Sequence, residues 1–199
     1  MAKIIENGKR IKYDNYEEYV KIQDSRYHDY DCPKCLKQNM DLLNILNNFK
    51  IEFKNLLDIG CRDAAYFDLL KDKGVDCYGI DISERSVGYA KSKGRNVLLG
   101  DAVNLSSYFD KKFDLIISCH SFEHLLKPEK VLEECSKVLD DDGHMAIRIP
   151  NEGDKIKSTK TMAHVRAYSQ KDLTKILSNF KTLHFSTTES NEFIIIIKK

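Results

Sequence analysis

The sequence predicts an α/β fold: a mostly parallel sheet of seven strands, helices on both faces, and an antiparallel hairpin at one edge. Three observations carry this reading. From Asn55 onward, short apolar runs alternate with amphipathic stretches, the pattern of strand–helix–strand units joined by right-handed crossovers. The strands are continuously apolar, which fits a sheet covered on both faces. The last two strands lie too close together for a helical crossover, so they must pair antiparallel.

Each element has a local reason. Asn55-Leu56-Leu57-Asp58-Ile59 is a buried strand ending at Gly60, and Ala64 to Lys73 follows as a helix stopped by Gly74. Val75 to Ile80 is the second strand. Ser83 caps a helix to Ser92 that Gly94 closes. Asn96 to Leu99 and Phe113 to Cys119 are the third and fourth strands. Pro128 suits the first turn of a helix whose Val131, Leu132, Cys135, Val138 and Leu139 share one face, with Gly143 at its end. His144 to Ile149 is the fifth strand, terminated by Pro150. Ser169 starts a last helix with Leu173, Ile176 and Leu177 inward, and the hairpin strands lie near Thr182 to Ser186 and Phe193 to Ile197.

Residues 1–50 differ in character. They hold five of the ten tyrosines, at positions 13, 16, 19, 27 and 30, and Asp41 to Phe49 has a helical apolar pattern. Such a segment would struggle to bury a core alone. It is read as a helical cap that shapes a substrate pocket over the open end of a sheet domain spanning 51–199.

The totals limit the function. With 32 basic and 31 acidic residues the net charge is +1, so no global field draws the chain to nucleic acid or to anionic lipid. No apolar run approaches the ~18 residues of a membrane span, and the N-terminus lacks the apolar core of a signal peptide. The six scattered cysteines therefore read as reduced thiols of a cytoplasmic protein.

Ligands of open α/β sheets bind beyond the carboxyl ends of the strands, near the point where strand order reverses. Three acids fall at such ends: Asp58, Asp81 and Asp101. A carboxylate after the second strand can accept from both hydroxyls of a ribose diol. One after the third can accept from an adenine amino group. Asp58 can brace the Gly60 turn and answer an ammonium group. A lone acid at a strand end is usually a turn residue, but three at successive strand ends form a pattern.

Those residues carry a resemblance. Leu56-Leu57-Asp58-Ile59-Gly60-Cys61-Arg62-Asp63-Ala64 looks like the first motif of class I S-adenosylmethionine-dependent methyltransferases, Ile80-Asp81-Ile82-Ser83 the ribose-binding second, and Gly100-Asp101-Ala102 the adenine-binding third. Phe113 to Cys119 with Phe122-Glu123-His124-Leu125 resembles the fourth strand and its turn. Asp-Asp-Gly before a strand, within Leu139 to Ile149, resembles the fifth. His164-Val165-Arg166 through Leu173 resembles the segment before the last helix of small-molecule members. The match spans roughly residues 50–199 and is specific for the cofactor and not for the acceptor. It implies a Rossmann-like sheet, S-adenosyl-L-methionine as cofactor, and a binding set of Asp58, Gly60, Cys61, Arg62, Asp81, Ile82, Asp101, Ala102 and Cys119.

The family's first motif has three glycines in alternate positions, whereas this chain has Gly60, Arg62 and Ala64. Either the Arg62 fork sits over the cofactor's carboxylate, which is the preferred reading, or the cofactor site is weakened. A nicotinamide site fits less well, because its fingerprint needs the second glycine for pyrophosphate approach.

Methyl transfer from a sulfonium is an in-line displacement, so the protein aligns the acceptor and excludes water. A general base helps a hydroxyl or ammonium acceptor. The turn after the fourth strand supplies His120, Glu123 and His124 as catalytic candidates. Some ubiquinone-pathway and small-RNA 2′-O-methyltransferases hold a divalent ion with a similar cluster, joined in the RNA enzymes by a later histidine, here His164. The Glu-His pair is also common and structural in metal-free relatives, and no metal is assigned. Cys32-Pro33-Lys34-Cys35, with His28 nearby, is half of a zinc spacing without a second cysteine pair; the two read as ordinary thiols in a turn.

The resulting expectation is methyl transfer to the oxygen or nitrogen of a small or medium acceptor, with no membrane partner. A non-catalytic, degenerate cofactor-binding regulator is the alternative. An RNA or protein methyltransferase is the third reading, and near-zero charge gives it little support. The sequence leaves the oligomeric state open.

Overall fold

A computed structural model of the chain describes residues 3–6, 9–12, 15–25, 30–153 and 164–199. A two-stranded hairpin, β1 (Lys3–Glu6) and β2 (Lys9–Lys12), precedes helices α1 (Tyr16–Ser25) and α2 (Pro33–Asn48). The sheet domain then runs β3 (Asn55–Ile59), α3 (Phe67–Lys71), β4 (Asp76–Asp81), α4 (Glu84–Ser92), β5 (Val97–Leu99), α5 (Leu105–Tyr108) and β6 (Phe113–Cys119). It continues through α6 (Pro128–Val138), β7 (Leu139–Pro150), α7 (Gln170–Ile176), β8 (Lys181–Thr187) and β9 (Glu192–Lys198).

The seven strands stand in the order β5-β4-β3-β6-β7-β9-β8. Five run parallel, and β9 pairs antiparallel with both β7 and β8. The chain winds outward from β3 to β5, then returns to β6 and winds the other way. The order therefore reverses between β3 and β6, and the carboxyl ends of those strands open the crevice that such a reversal creates.

Both faces of the sheet are buried, as the continuous apolar strands require. Leu56, Leu115, Ile117, Ala146, Ile194 and Ile196 pack on one face with Leu42, Leu43 and Leu46 of α2 and Val87 and Ala90 of α4. Leu57, Ile116, Met145, Ile147, Ile195 and Ile197 pack on the other with Val131, Leu132 and Cys135 of α6 and Leu173 of α7. Local signals fix the helix ends. Ser83 Oγ accepts from the Ser86 N–H at the start of α4. Ser169 and Asp172 form a reciprocal capping box on α7.

Five elements depart from the sequence reading, one being α5, which lies where no helix is drawn between the third and fourth strands. The helix drawn from Ala64 shortens to Phe67–Lys71, because Arg62 and Ala64 take φ of 53° and 51°, outside the helical region. Gly143 does not end α6. That helix stops at Val138, and β7 already pairs Leu139 with Phe113 before a register shift that absorbs the Asp-Asp-Gly residues. Helix α2 begins eight residues earlier than the apolar pattern, at Pro33, with Cys32 as its N-cap residue. The hairpin in residues 3–12 has no counterpart in the expected helical cap. Tyr13, Tyr27 and His28 lie outside the described residues.

Candidate active site

A cavity of about 640 Å³ opens at the carboxyl ends of β3, β4, β5 and β6. All nine residues assigned to the cofactor line it: Asp58, Gly60, Cys61, Arg62, Asp81, Ile82, Asp101, Ala102 and Cys119. So do His120, Glu123, His124 and His164. The strand reversal brings these separate motifs into one space.

The turn after β3 is built by close approach. The Gly60 N–H donates to the carbonyl of Ile80 (2.8 Å). Its φ is +69°, and an added Cβ would lie 2.4 Å from the Ser121 Cβ. The glycine is therefore required by the neighbouring turn, whose Ser121 Oγ donates to the Ile59 carbonyl (2.6 Å). Arg62 and Ala64 adopt the left-handed conformation that glycine favours. The loop thus keeps its shape with side chains at two of the three glycine positions.

Asp81 holds that loop to the next one. Its Oδ2 accepts from the Arg62 N–H (2.7 Å) and its Oδ1 from the Ser83 N–H (2.8 Å). Burial pushes its carboxyl above the ordinary range, opposed by these donors. Each oxygen keeps a second acceptor site. Asp101 is placed likewise: Oδ1 accepts from the Val103 N–H (3.1 Å) and Oδ2 from the Tyr16 hydroxyl (2.6 Å). The Arg62 guanidinium points toward the cap. Its Nη1 donates to Cys35 Sγ (3.0 Å), and its Cζ lies 5.9 Å from the Tyr30 ring centre.

Asp58 is the least satisfied acid. It is 2% exposed; Oδ2 accepts from the Tyr66 hydroxyl (3.0 Å), and Oδ1 is buried with no hydrogen-bond partner. Burial pushes its carboxyl up to about 8, with Asp81 and Asp63 adding to the rise and Tyr66 opposing it. A cationic donor entering the cavity would supply what Oδ1 lacks.

The opposite wall is a histidine–carboxylate cluster. Glu123 is 2% exposed. Its Oε1 lies 3.6 Å from His120 Nδ1, 3.9 Å from His124 Nε2 and 3.9 Å from His164 Nε2, while Oε2 is buried without a hydrogen-bond partner. Burial alone would raise its carboxyl; the His120 hydrogen bond and the charge of the three imidazoles bring it below the usual value. Glu123, His124 and His164 offer one ligand atom each, all within 4.8 Å of one another. His164 Nδ1 is 2.8 Å from Glu152 Oε2, which leaves Nε2 facing the cluster.

His120, at φ +53°, stands between Glu123 and Glu192, the latter 3.1 Å from its Nε2. Burial lowers its proton affinity, but the two carboxylates outweigh this and raise the ring to about 9. At neutral pH the imidazole is a cation, so it can hold or donate a proton there but accepts one only in more alkaline solution. Glu192 in turn takes two bonds on Oε2 from Arg148, at 2.8 and 2.5 Å, and is held at about 2 against the effect of burial by His120 and Arg148.

Sequence reasoning missed Gln38, Asn39, Glu152 and Glu192, which also line the cavity. No motif marks them; α2 and the pairing of β9 with β7 bring them in. Cys32 and Cys35 line it as well, at the start of α2 instead of in a turn. Burial raises the Cys35 thiol, against the pull of Arg62.

Residues 57–147 match a family model described as a methyltransferase domain. The chain is 32% identical over 114 residues to norajmaline N-methyltransferase of Rauvolfia serpentina, covering 53% of this chain and 39% of that protein. It is 31% identical over 119 residues to the ubiquinone biosynthesis O-methyltransferase of Pelagibacter ubique, covering 54% and 50%. The chain thus spans half or less of the length of these relatives. Among solved structures, a SAM-dependent methyltransferase from Aquifex aeolicus superposes with a TM-score of 0.66 at 22% identity, over 94% of this chain and 99% of that one.

Arg148 and Glu192 are both nearly buried, so removing one charge strands the other. Glu192→Gln is expected to lower stability by about 3–5 kcal/mol, read as a shifted midpoint in urea unfolding. A change below about 1 kcal/mol would show that the pair is hydrated.

Proposed function

We propose that this chain, which carries a class I S-adenosylmethionine-dependent methyltransferase domain, transfers the cofactor's methyl group to an oxygen or nitrogen of a small or medium acceptor. One observation carries the reading: the acids of three successive strand ends and the His120–His124 turn face a single cavity. The unpartnered, buried Oδ1 of Asp58 supports the fit, since the amino acid end of the cofactor brings an ammonium group. When bound, the cofactor supplies an electrophilic methyl on a sulfonium. Asp81 accepts from the ribose hydroxyls with its remaining lone pairs, and Asp101 accepts from the adenine amino group. Gln38, His120 and Glu192 border the acceptor side, and closure of the cavity excludes water. No helix among the described residues is long and apolar enough to cross a membrane, and the N- and O-methyltransferase relatives favour a small acceptor.

A specific observation adds a divalent cation to this reading. Glu123, His124 and His164 form a set of two imidazoles and one carboxylate, a donor type that suits zinc and other first-row ions. Glu152 holds the far nitrogen of one of those imidazoles and so orients the ring, as a carboxylate behind a metal-binding histidine does. A bound ion would offer Lewis-acid polarisation of an acceptor oxygen.

Three measurements test these assignments. Asp81→Ala should weaken binding of S-adenosylhomocysteine by about 1.5–3 kcal/mol in calorimetry; unchanged affinity means the ribose lies elsewhere. The Asp58 carboxyl titrates higher folded than unfolded, so the folded chain binds the extra proton and stability declines as pH rises from the usual carboxyl range toward about 8. An ammonium ligand favours the ionised form. Cofactor affinity should therefore rise with pH up to about 8, and Asp58→Asn should flatten that rise. Elemental analysis of the purified protein should find about one transition metal per chain, lost in Glu123→Gln and in His164→Ala. No metal, with melting indifferent to chelator and to added ions, removes the cation.

A further inference from the structure

Helix α1 is held to the domain differently from α2. Where α2 sinks Leu42, Leu43 and Leu46 into the main core, α1 buries only Tyr19 in a small separate cluster with Val165, edged by Ile82 and Leu126. Val20 and Ile22 pack partly buried against the same cluster, Tyr19 and Gln23 line the cavity, and the polar attachments of the helix reach three loops of that cavity. Tyr16 donates to Asp101 Oδ2 (2.6 Å) in the loop after β5. Tyr19 donates to the His124 carbonyl (3.0 Å) in the turn after β6. Asp24 accepts from Ser83 Oγ (2.7 Å) and from the Arg85 N–H (3.2 Å) after β4.

We propose that α1 is a strap that must lift for the adenosyl ligand to enter or leave, and that the Tyr16–Asp101 hydrogen bond is its latch. The proposal rests on the cofactor reading above. An element with so little apolar burial opens at a small fraction of the cost of unfolding the domain. The latch bond is charge-assisted, as are the bonds to Asp24 at the other end of the helix, where Arg85 Nε adds an ion pair at 3.3 Å; Tyr16–Asp101 is the one made directly to the adenine site proposed above. Tyr16 keeps its proton at all physiological pH, because burial and the adjoining carboxylate raise its phenol. Asp101 retains acceptor capacity beside Tyr16 and Val103, so the latch closes without displacing an adenine amino group.

A gate acts on both directions of binding, because association and release each wait for the open state. Stopped-flow binding of S-adenosylhomocysteine to wild type and Tyr16→Phe distinguishes this from a simple contact. Both rate constants should rise by roughly tenfold, with Kd moving much less than either. Amide exchange should quicken in residues 17–25 while α2 stays protected, which also shows that the variant is folded. Asp24→Asn, which weakens the attachment at Ser83 and Arg85, should accelerate both rates in the same sense. A rise in the release rate alone makes Tyr16 an ordinary part of the adenine site and overturns the latch, as do unchanged rates. Failure of the wild-type protein to bind the ligand at all overturns the cofactor reading, and the strap with it.

Discussion

One carboxylate joins two loops that come from different strands. Asp81 takes the Arg62 N–H on one oxygen and the Ser83 N–H on the other, so the turn after β3 and the start of α4 are fixed by the same group. Hydrogen bonds to an ionised acceptor are worth about 1.5–3 kcal/mol each. Left-handed backbone at a residue with a side chain costs roughly 1–2 kcal/mol. The two magnitudes are comparable, and this lets Arg62 and Ala64 sit where glycine would be easier. The same contacts set the floor of the cavity, because Gly60 beside them is pressed against Ser121 with no room for a Cβ.

The cavity has two electrostatic halves. On the side of β3 and β4, Asp58 is buried and Asp81 half-buried, and desolvation raises both. On the side of β6 and β9, Glu123 and Glu192 are held ionised by neighbouring imidazoles and Arg148. Arg62 is the cation nearest to Asp81 in the first half, and its guanidinium is turned toward Cys35 and Tyr30, while Asp58 Oδ1 has no hydrogen-bond partner. In the second half each carboxylate faces positive groups of the protein itself. That division follows from which strands contribute basic residues: β7 carries Arg148, and the turn after β6 carries three titratable side chains.

Much of this was legible in the sequence, for a definite reason. Residues such as Asp58, Asp81 and Asp101 end short apolar runs, and in a parallel sheet every such end lies on the same edge. Their convergence needs no knowledge of long-range pairing. Glu192 is different. It meets Arg148 because Pro150 pairs with Glu192 and Arg148 with Ile194 across β7 and β9, which places the two side chains on one face. Register of that kind is set by packing and carries no local signature. The helix after Gly60 is overdrawn for the opposite reason: Ala64 and Phe67 look helical, and the tertiary turn forces Arg62 and Ala64 out of that conformation. Gln38 and Asn39 lie on a helix whose apolar face is readable and whose direction over the cavity is not.

The position of β9 has a consequence for how the chain is made. Six consecutive residues, Glu192 to Ile197, are buried between β7 and β8. Until they emerge from the ribosome, the outer edge of β7 has no hydrogen-bond partner. Such an open edge can recruit a strand from a neighbouring nascent chain. The sheet therefore closes only after synthesis has passed residue 197, although the strands that carry Asp58, Asp81 and Asp101 pair among themselves and with β6.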